Sequence, residues 1–332
     1  MPLRDVRGHR RLLDLLAGAI ARNTLPPTLL FDGPDGVGKR TTAIALAQEL
    51  NCLQRDPAGG ACGRCAACRR IARGAHPDVV VLEPGDSGAI KTEIVREQVI
   101  QASAYRPFEG RVRVFIIDEA DALILNAQDA LLKSLEEPPP GSVFILVTSQ
   151  PDRLLPTVLS RCYRLRFGRV SEADIAAVLR ERYNFGEADA RAASAIADGS
   201  VGRALAAQRG ELTAAREIAT QLLRAVANGR VPQRLEGAKG LLAGPRSGAD
   251  RATVAERLRA VSSILRDLGV LSSRAEDALL ANADIKAQLD TLLPAFAAER
   301  VLRAFSAVDR ASVALERNAS PKIVADWVAL EI

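Results

Sequence analysis

Aromatic side chains make up only 4% of this 332-residue chain, too few to build the stacking platforms of a single-strand nucleic-acid binder. Long apolar runs are missing as well, so no membrane span is expected. The opening residues Met1-Pro2-Leu3-Arg4-Asp5-Val6-Arg7 lack the apolar core of a signal peptide, and the expected location is cytoplasmic. Neither sign of charge dominates. With 45 basic and 40 acidic residues the net charge is +5, which permits contact with nucleic acid without requiring it. Low-complexity segments and short repeats are also absent. What the chain does have is 48% apolar residues, enough for real cores, and a length that suggests two or three domains.

The most informative stretch is Phe31-Asp32-Gly33-Pro34-Asp35-Gly36-Val37-Gly38-Lys39-Arg40-Thr41. It lies between the apolar run Thr28-Leu29-Leu30-Phe31 and the helical pattern that continues through Leu50. A strand, a glycine-rich loop and a helix in this order make a phosphate-binding loop. Gly33, Gly36 and Gly38 let the backbone turn its amides inward, the helix N-terminus adds partial positive charge, and Lys39 reaches the outer phosphates. The spacing fits G-x-x-x-x-G-K, but the next position should carry the Ser or Thr hydroxyl that binds Mg²⁺, and it is Arg40. Thr41 follows one residue later, turned about 100° around the helix, so it does not simply take over. The flanking strand and helix favour a phosphate cradle without its metal ligand over an ordinary glycine turn.

Four cysteines follow that helix: Cys52, Cys62, Cys65 and Cys68, spaced C-x9-C-x2-C-x2-C. In a cytoplasmic chain they stay reduced, and four thiolates so close together suit a structural, tetrahedral Zn²⁺. An iron–sulfur cluster is the rival, though the fourth cysteine of a ferredoxin run is replaced at Ala72 and Arg73. Unliganded thiols are the third possibility. His76 is left structural because four cysteines already satisfy zinc. His9, in the short loop Val6-Arg7-Gly8-His9 that could cover a nucleotide base, has no nucleophile or acid beside it.

Further along, Val79–Leu82 reads as a second strand, Ile94–Tyr105 as a helix, and Val112–Ile117 as a third strand after the turn Arg106-Pro107-Phe108-Glu109-Gly110. The third strand delivers Asp118-Glu119-Ala120-Asp121. Downstream of a phosphate loop, Asp118 is expected to help hold Mg²⁺ and Glu119 to orient an attacking water. A helix over Asn126–Glu136 leads to a fourth strand, Val143–Val147, ending at Thr148-Ser149, where a hydroxyl could sense a γ-phosphate. Ser160-Arg161-Cys162 follows. Alternating strands and helices predict a parallel, doubly wound α/β sheet with its ligand at the strand C-termini. After Val170-Ser171-Glu172 the chain reads as helices only. Ala197-Asp198-Gly199-Ser200 caps one that projects Arg203, counted with Asp118, Glu119 and Thr148 among the candidate catalytic residues. The clearest break in the C-terminal third is Gly244-Pro245-Arg246-Ser247-Gly248, and that third carries no cluster of catalytic residue types.

These motifs, together with Leu131-Leu132-Lys133-Ser134-Leu135-Glu136-Glu137-Pro138-Pro139, resemble the clamp-loader AAA+ proteins of bacterial replication, the gamma/tau and delta-prime subunits of DNA polymerase III. The resemblance is firm over residues 5–210 and looser beyond. Gly38-Lys39-Arg40, Ile90-Lys91-Thr92 with Val95-Arg96, Arg106–Gly110 and a chain stopping after one helical domain favour the delta-prime branch. Leu315–Lys322 is similar to that branch's C-terminal helix entry. The resemblance implies an α/β P-loop AAA+ domain over residues 1–167 with a zinc module at 52–68, a helical lid over 168–209, and an all-α collar over 210–332. It also implies a pentameric ring with gamma/tau and delta partners, part of the polymerase holoenzyme, loading a sliding clamp onto primed DNA. In this branch Arg161 would act in trans as an arginine finger on a neighbour's ATP site. Lys39, Asp118 and Glu119 leave ATP or ADP binding with Mg²⁺ open. A gamma/tau-like motor that hydrolyses ATP itself is the alternative, but it needs the missing hydroxyl and normally a longer tail. A stand-alone zinc-dependent DNA-binding protein is a third, disfavoured because no aromatic residue lies between Cys52 and Cys68.

Overall fold

The structure is a computed structural model and describes residues 1–56, 59–85, 88–208, 211–243, 251–273, 280, 282, 285–316 and 319–332. The glycine–proline break at 244–248 and residues 317–318 of the C-terminal motif lie outside the described residues. The chain divides into two compact units, Met1–Ala204 and Leu205–Ile332.

In the first unit the elements run α1 (Arg10–Ala21), β1 (Thr28–Asp32), α2 (Lys39–Asn51), α3 (Ala66–Ala72), β2 (Val79–Leu82) and α4 (Thr92–Val95). They continue with β3 (Arg113–Ile117), α5 (Leu125–Glu136), β4 (Ser142–Thr148), α6 (Pro156–Leu159) and β5 (Tyr163–Arg166). The helices α7 (Glu172–Tyr183) and α8 (Glu187–Ile196) follow, and α9 (Val201–Gln208) begins in this unit and continues past its end at Ala204. All five strands are parallel, in the order β2-β3-β4-β1-β5. Every residue of β1 and β4 is buried, as expected of central strands covered by helices on both faces. Alternation along β1 sends Leu30 to one face, where it joins Phe115, Phe144, Leu131 and Leu135 in a single cluster. Phe115 and Phe144 stack across β3 and β4 with centroids 5.1 Å apart. Truncating either ring to Ala would cost about 3–5 kcal/mol.

Two local features differ from the sequence reading. β5 is an edge strand with only Leu165 of its four residues buried, so it has no apolar run to announce it. The helix expected over Ile94–Tyr105 starts at Thr92 and passes at Arg96 into a π-helical turn ending at Gln101. The helix entries after the sheet follow local chemistry. Ser171 accepts from the Asp174 amide at 3.1 Å to cap α7. Glu172 and Asp174 lie in the first turn of α7, and Arg180 and Arg182 in the last, each placed to complement the helix dipole.

The second unit is helical among its described residues: α10 (Glu211–Asn228), α11 (Val231–Leu242), α12 (Arg251–Ser272), α13 (Lys286–Leu292), α14 (Ala298–Glu316) and α15 (Pro321–Glu331). Its core gathers Leu222, Leu223, Leu258, Ile264, Phe296 and Val328. The Arg310 guanidinium lies 5.1 Å from the ring of Trp327.

Candidate nucleotide site and four-cysteine metal centre

The C-terminal ends of β1, β3 and β4 are adjacent, so the sheet order alone gathers the glycine loop, Asp118 and Thr148. Gly33, Gly36 and Gly38 all have positive φ, at 147°, 72° and 103°, which only glycine adopts without strain. Gly38 opens α2, and Lys39 is nearly buried behind it. The Lys39 ammonium donates to the carbonyls of Gly33 at 2.6 Å and Pro34 at 2.7 Å. Burial lowers its pKa, opposed by Asp35, Asp121, Asp118 and Asp32. A buried ammonium whose hydrogen bonds among the described residues go to loop carbonyls fits a phosphate group as its further partner, and the backbone amides of the loop, Pro34 having none, would complete the cradle.

Arg40 takes an unexpected position. Its guanidinium donates to Asp118 Oδ2 at 3.0 Å and also pairs with Glu83, one residue past β2. The other oxygen, Asp118 Oδ1, accepts from the Glu119 amide at 3.1 Å. Burial pushes the Asp118 carboxyl up and Arg40 pulls it back, leaving it above the usual range. Glu119 is raised too, by burial and then by Asp118 and Asp121. Its backbone is left-handed, with φ 47°, a constrained conformation for a non-glycine residue at the end of β3. Thr148 donates to Asp121, whose Oδ1 also accepts from the Ser149 amide at 3.3 Å. Thr41 is exposed, while the Thr42 hydroxyl donates back to Gly38 O at 2.9 Å.

Glu83 and Asp121 were not among the sequence candidates, although both lie just past apolar strands in the manner of Asp118. The entry to α9 presses on the loop. The Gly202 amide donates to Gly36 O at 3.2 Å, and a Cβ on Gly36 would meet Ser200 Oγ at 2.2 Å. Ser200 caps α9 by accepting from the Arg203 amide at 3.2 Å, and the Arg203 guanidinium pairs with Asp198 at 3.5 Å. His9 meets the loop from the other side. Its Nε2 lies 3.0 Å from Val37 O and its ring contacts Phe167 edge-on.

Arg161 is placed apart from these groups. Its carbonyl accepts from Thr28 Oγ1 at 2.8 Å, at the start of β1, whereas the phosphate loop leaves the strand at its end. Four residue steps of about 3.3 Å put roughly 13 Å of strand between them. The guanidinium pairs with Glu136 at 2.9 Å and donates to Thr157 O at 3.1 Å. Glu136 is more than half exposed, and a pair so exposed contributes little stability.

The sulfurs of Cys52, Cys62, Cys65 and Cys68 all lie within 4.8 Å of one another, three of the residues buried. Cys65 caps α3. Amides of Cys62, Cys65 and Cys68 donate to Cys52, Cys62 and Cys65 sulfurs at 3.2–3.4 Å. Burial pushes the Cys65 thiol up, but the Cys68 and Leu53 amides and neighbouring sulfurs outweigh it and hold it at about 6. Burial raises Cys68. Zn–S bonds of about 2.3 Å place tetrahedral sulfurs about 3.8 Å apart, so the group fits one tetrahedral ion, while a polynuclear cluster would hold the sulfurs farther apart. Cys162 lies outside this group and burial lifts its thiol to about 12. His76 is also elsewhere: its Nδ1 accepts from the Asp78 amide at 3.1 Å, and Nε2 faces Glu109 at 3.4 Å.

A parallel sheet in this order, a glycine loop feeding a helix, an Asp-Glu strand end and a helical C-terminal unit define an AAA+ protein of the P-loop class. The sequence model of the family described as DNA polymerase III, delta subunit, matches residues 8–171, and over that stretch the chain is similar to this family. The delta-prime subunit of Pseudomonas aeruginosa is 46% identical over 134 residues, 40% of each chain. That of Bacillus subtilis is 38% identical over 160 residues, 47% of this chain and 46% of its own. The tau subunit of Bacillus subtilis is 34% identical over 172 residues, 52% of this chain and 30% of its own. The alignments thus span less than half the length of each of these relatives. A gamma subunit-related protein of Thermotoga maritima shares the fold, with a TM-score of 0.50 at 16% identity over 96% of this chain and 98% of its own.

Proposed function

We propose that this chain is a delta-prime subunit of the DNA polymerase III clamp loader. In this reading it is a cytoplasmic assembly subunit that joins a pentameric ring with gamma/tau and delta partners. The ring loads the sliding clamp onto primed DNA, and this chain turns over little ATP itself. The observation that carries the reading is the Arg40–Asp118 pair, which puts a fixed cation where a hydrolysing site needs a metal. The Pseudomonas delta-prime likeness, higher in identity than the tau likeness, supports it. Intact Lys39, Asp118 and Glu119 are the observation that favours the gamma/tau-like motor reading.

Residues 1–167 form the AAA+ domain, 168–209 the lid and 210–332 the collar in this proposal. Cys52, Cys62, Cys65 and Cys68 hold a structural Zn²⁺, supported by sulfur spacing, by four-thiolate chemistry and by the closed site it makes. Arg161 reaches a neighbour's ATP site. Its place at the far end of β1 from its own glycine loop supports action in trans, and the exposed Glu136 pair is weak enough to yield to a phosphoryl group. Thr148 and Arg203 are secondary, since both side chains are engaged by local carboxylates.

The test is a reconstitution with partner subunits, measuring DNA-stimulated ATPase for Arg161→Ala and Lys39→Ala separately. Arg161→Ala is expected to lower hydrolysis with assembly intact, and a finger supplied in trans is worth on the order of 10³–10⁵ in rate. Lys39→Ala is expected to do much less. If Lys39→Ala is the more damaging change, the chain is a motor subunit using its own site.

A further inference from the structure

Magnesium is the partner that this phosphate loop does not fit. A site of this class coordinates the ion through a hydroxyl directly after the lysine and through the strand-end aspartate. Here the hydroxyl is absent at position 40. Both Asp118 oxygens are engaged, one by the Arg40 guanidinium at 3.0 Å and the other by the Glu119 amide at 3.1 Å. Glu83, a second carboxylate within reach of Arg40, pairs with it as well. Of the nearby hydroxyls, Thr41 is turned about 100° around the helix from position 40, Thr42 is held on Gly38 O inside α2, and Thr148 is held on Asp121 at the end of β4. A divalent ion entering this position would meet a guanidinium already bound to its ligand.

The phosphate half of the site is complete by contrast. The glycines have the backbone conformation the cradle requires. Lys39 is buried with two loop carbonyls as its partners. We infer that the chain's own loop binds a nucleoside polyphosphate without its magnesium, Arg40 serving as the resident cation. This rests on reading the loop as a nucleotide site. The physical logic has two sides. Arg40 neutralises Asp118, so that carboxylate no longer repels a phosphate that arrives without a metal. The same guanidinium repels a metal that arrives with the phosphate. Diphosphates chelate magnesium more weakly than triphosphates, so at ordinary magnesium concentrations ADP is the nucleotide the loop takes up.

The experiment follows binding of a fluorescent ADP to the full chain by anisotropy, in EDTA and in excess MgCl₂. Binding is expected to be tighter in EDTA, by about tenfold for like charges held a few ångströms apart. Arg40→Thr should invert the preference by unmasking Asp118 and restoring a hydroxyl, while Arg40→Lys should keep the EDTA preference. Circular dichroism checks that both variants fold. If Arg40→Thr does not, the wild-type comparison and Mn²⁺ electron paramagnetic resonance decide. The ADP-loaded wild type should leave Mn²⁺ free. Tighter binding with magnesium, or Mn²⁺ immobilised on the loaded wild-type chain, overturns the inference. Absence of ADP binding in both buffers also overturns it, and does so without touching the assembly role if the same chain still enters the complex with its partners.

Discussion

Replacing Asp78 with Ala is the sharpest test of how the first unit holds its loops. Asp78 follows His76-Pro77, is fully buried, and accepts from the amides of Phe108 at 2.6 Å, Glu109 at 2.9 Å and Gly110 at 2.7 Å. Its Oδ1 also meets the Arg113 guanidinium at 3.3 Å. Burial alone would raise the carboxyl, but these three amides and Arg113 outweigh it and hold the pKa below its ordinary value. The Ala variant leaves one largely buried guanidinium uncompensated and three amides without an acceptor. Breaking a buried pair from one side costs about 3–5 kcal/mol, and the freed amides add to it in proportion to how little water reaches them. For a unit of about this size, a loss of 3–5 kcal/mol lowers Tm by about 6–20 °C.

Calorimetry reads the global effect, and hydrogen exchange reads the local one, as lost protection at the amides of Phe108, Glu109 and Gly110. Asp78→Asn keeps the shape and one acceptor, and should fall between Ala and wild type. A loss below about 1 kcal/mol with those amides still protected would refute the reasoning. It would assign the loop instead to Asn51, whose Oδ1 accepts from the Arg111 and Val112 amides at 2.8 and 3.0 Å.

His76 carries a pH dependence of defined sign. Burial depresses its pKa against the opposing pull of Glu109 and Asp78. Its stabilisation is therefore full above the unfolded value of about 6.5 and is lost as pH falls from there towards the folded value. Denaturation midpoints measured down from neutral pH should decline across that window, and His76→Gln should flatten the decline. An unchanged slope would count against it. The cysteine group should retain one zinc per chain through purification from metal-replete cells, and Cys65→Ser should lower zinc content and destabilise the module. Iron in the metal analysis, or less than half an equivalent of zinc by a rough accounting of partial occupancy, would refute the zinc assignment.

The sheet was legible because its three central strands carry uninterrupted apolar runs of three to five residues, Leu29–Phe31, Val114–Ile117 and Val143–Val147. β5 was not, because Tyr163, Arg164 and Arg166 face outward and a lone buried Leu165 makes no pattern. The cysteine spacing predicted proximity, and the four sulfurs do converge. The sequence reading recognised the missing hydroxyl at position 40, but the destination of the arginine depends on the sheet order. Only when β2 and β3 lie side by side do Glu83 and Asp118 come within reach of one side chain. Asp121 was hidden for a similar reason. It follows a strand end in sequence, but its partner Thr148 is on the neighbouring strand, 27 residues away.

In the proposed assembly role, the two ends of one parallel sheet keep the loop chemistry apart from the arginine. Parallel strands place every C-terminal end on the same edge, and there this chain sets the glycine loop, Arg40, Asp118 and Thr148. Arg161 belongs to the opposite edge, tied through its backbone to Thr28 and lightly held by Glu136. A substitution at position 40 changes the charge at one edge without moving a residue at the other, because about 13 Å of packed β1 lies between. The buried β1 and β4 transmit position but carry no titratable group between the edges: from Leu29 to Phe31 and from Val143 to Val147 every side chain is apolar. The loop chemistry and the arginine are therefore separable by mutation. The opposite responses expected of Lys39→Ala and Arg161→Ala depend on that separation.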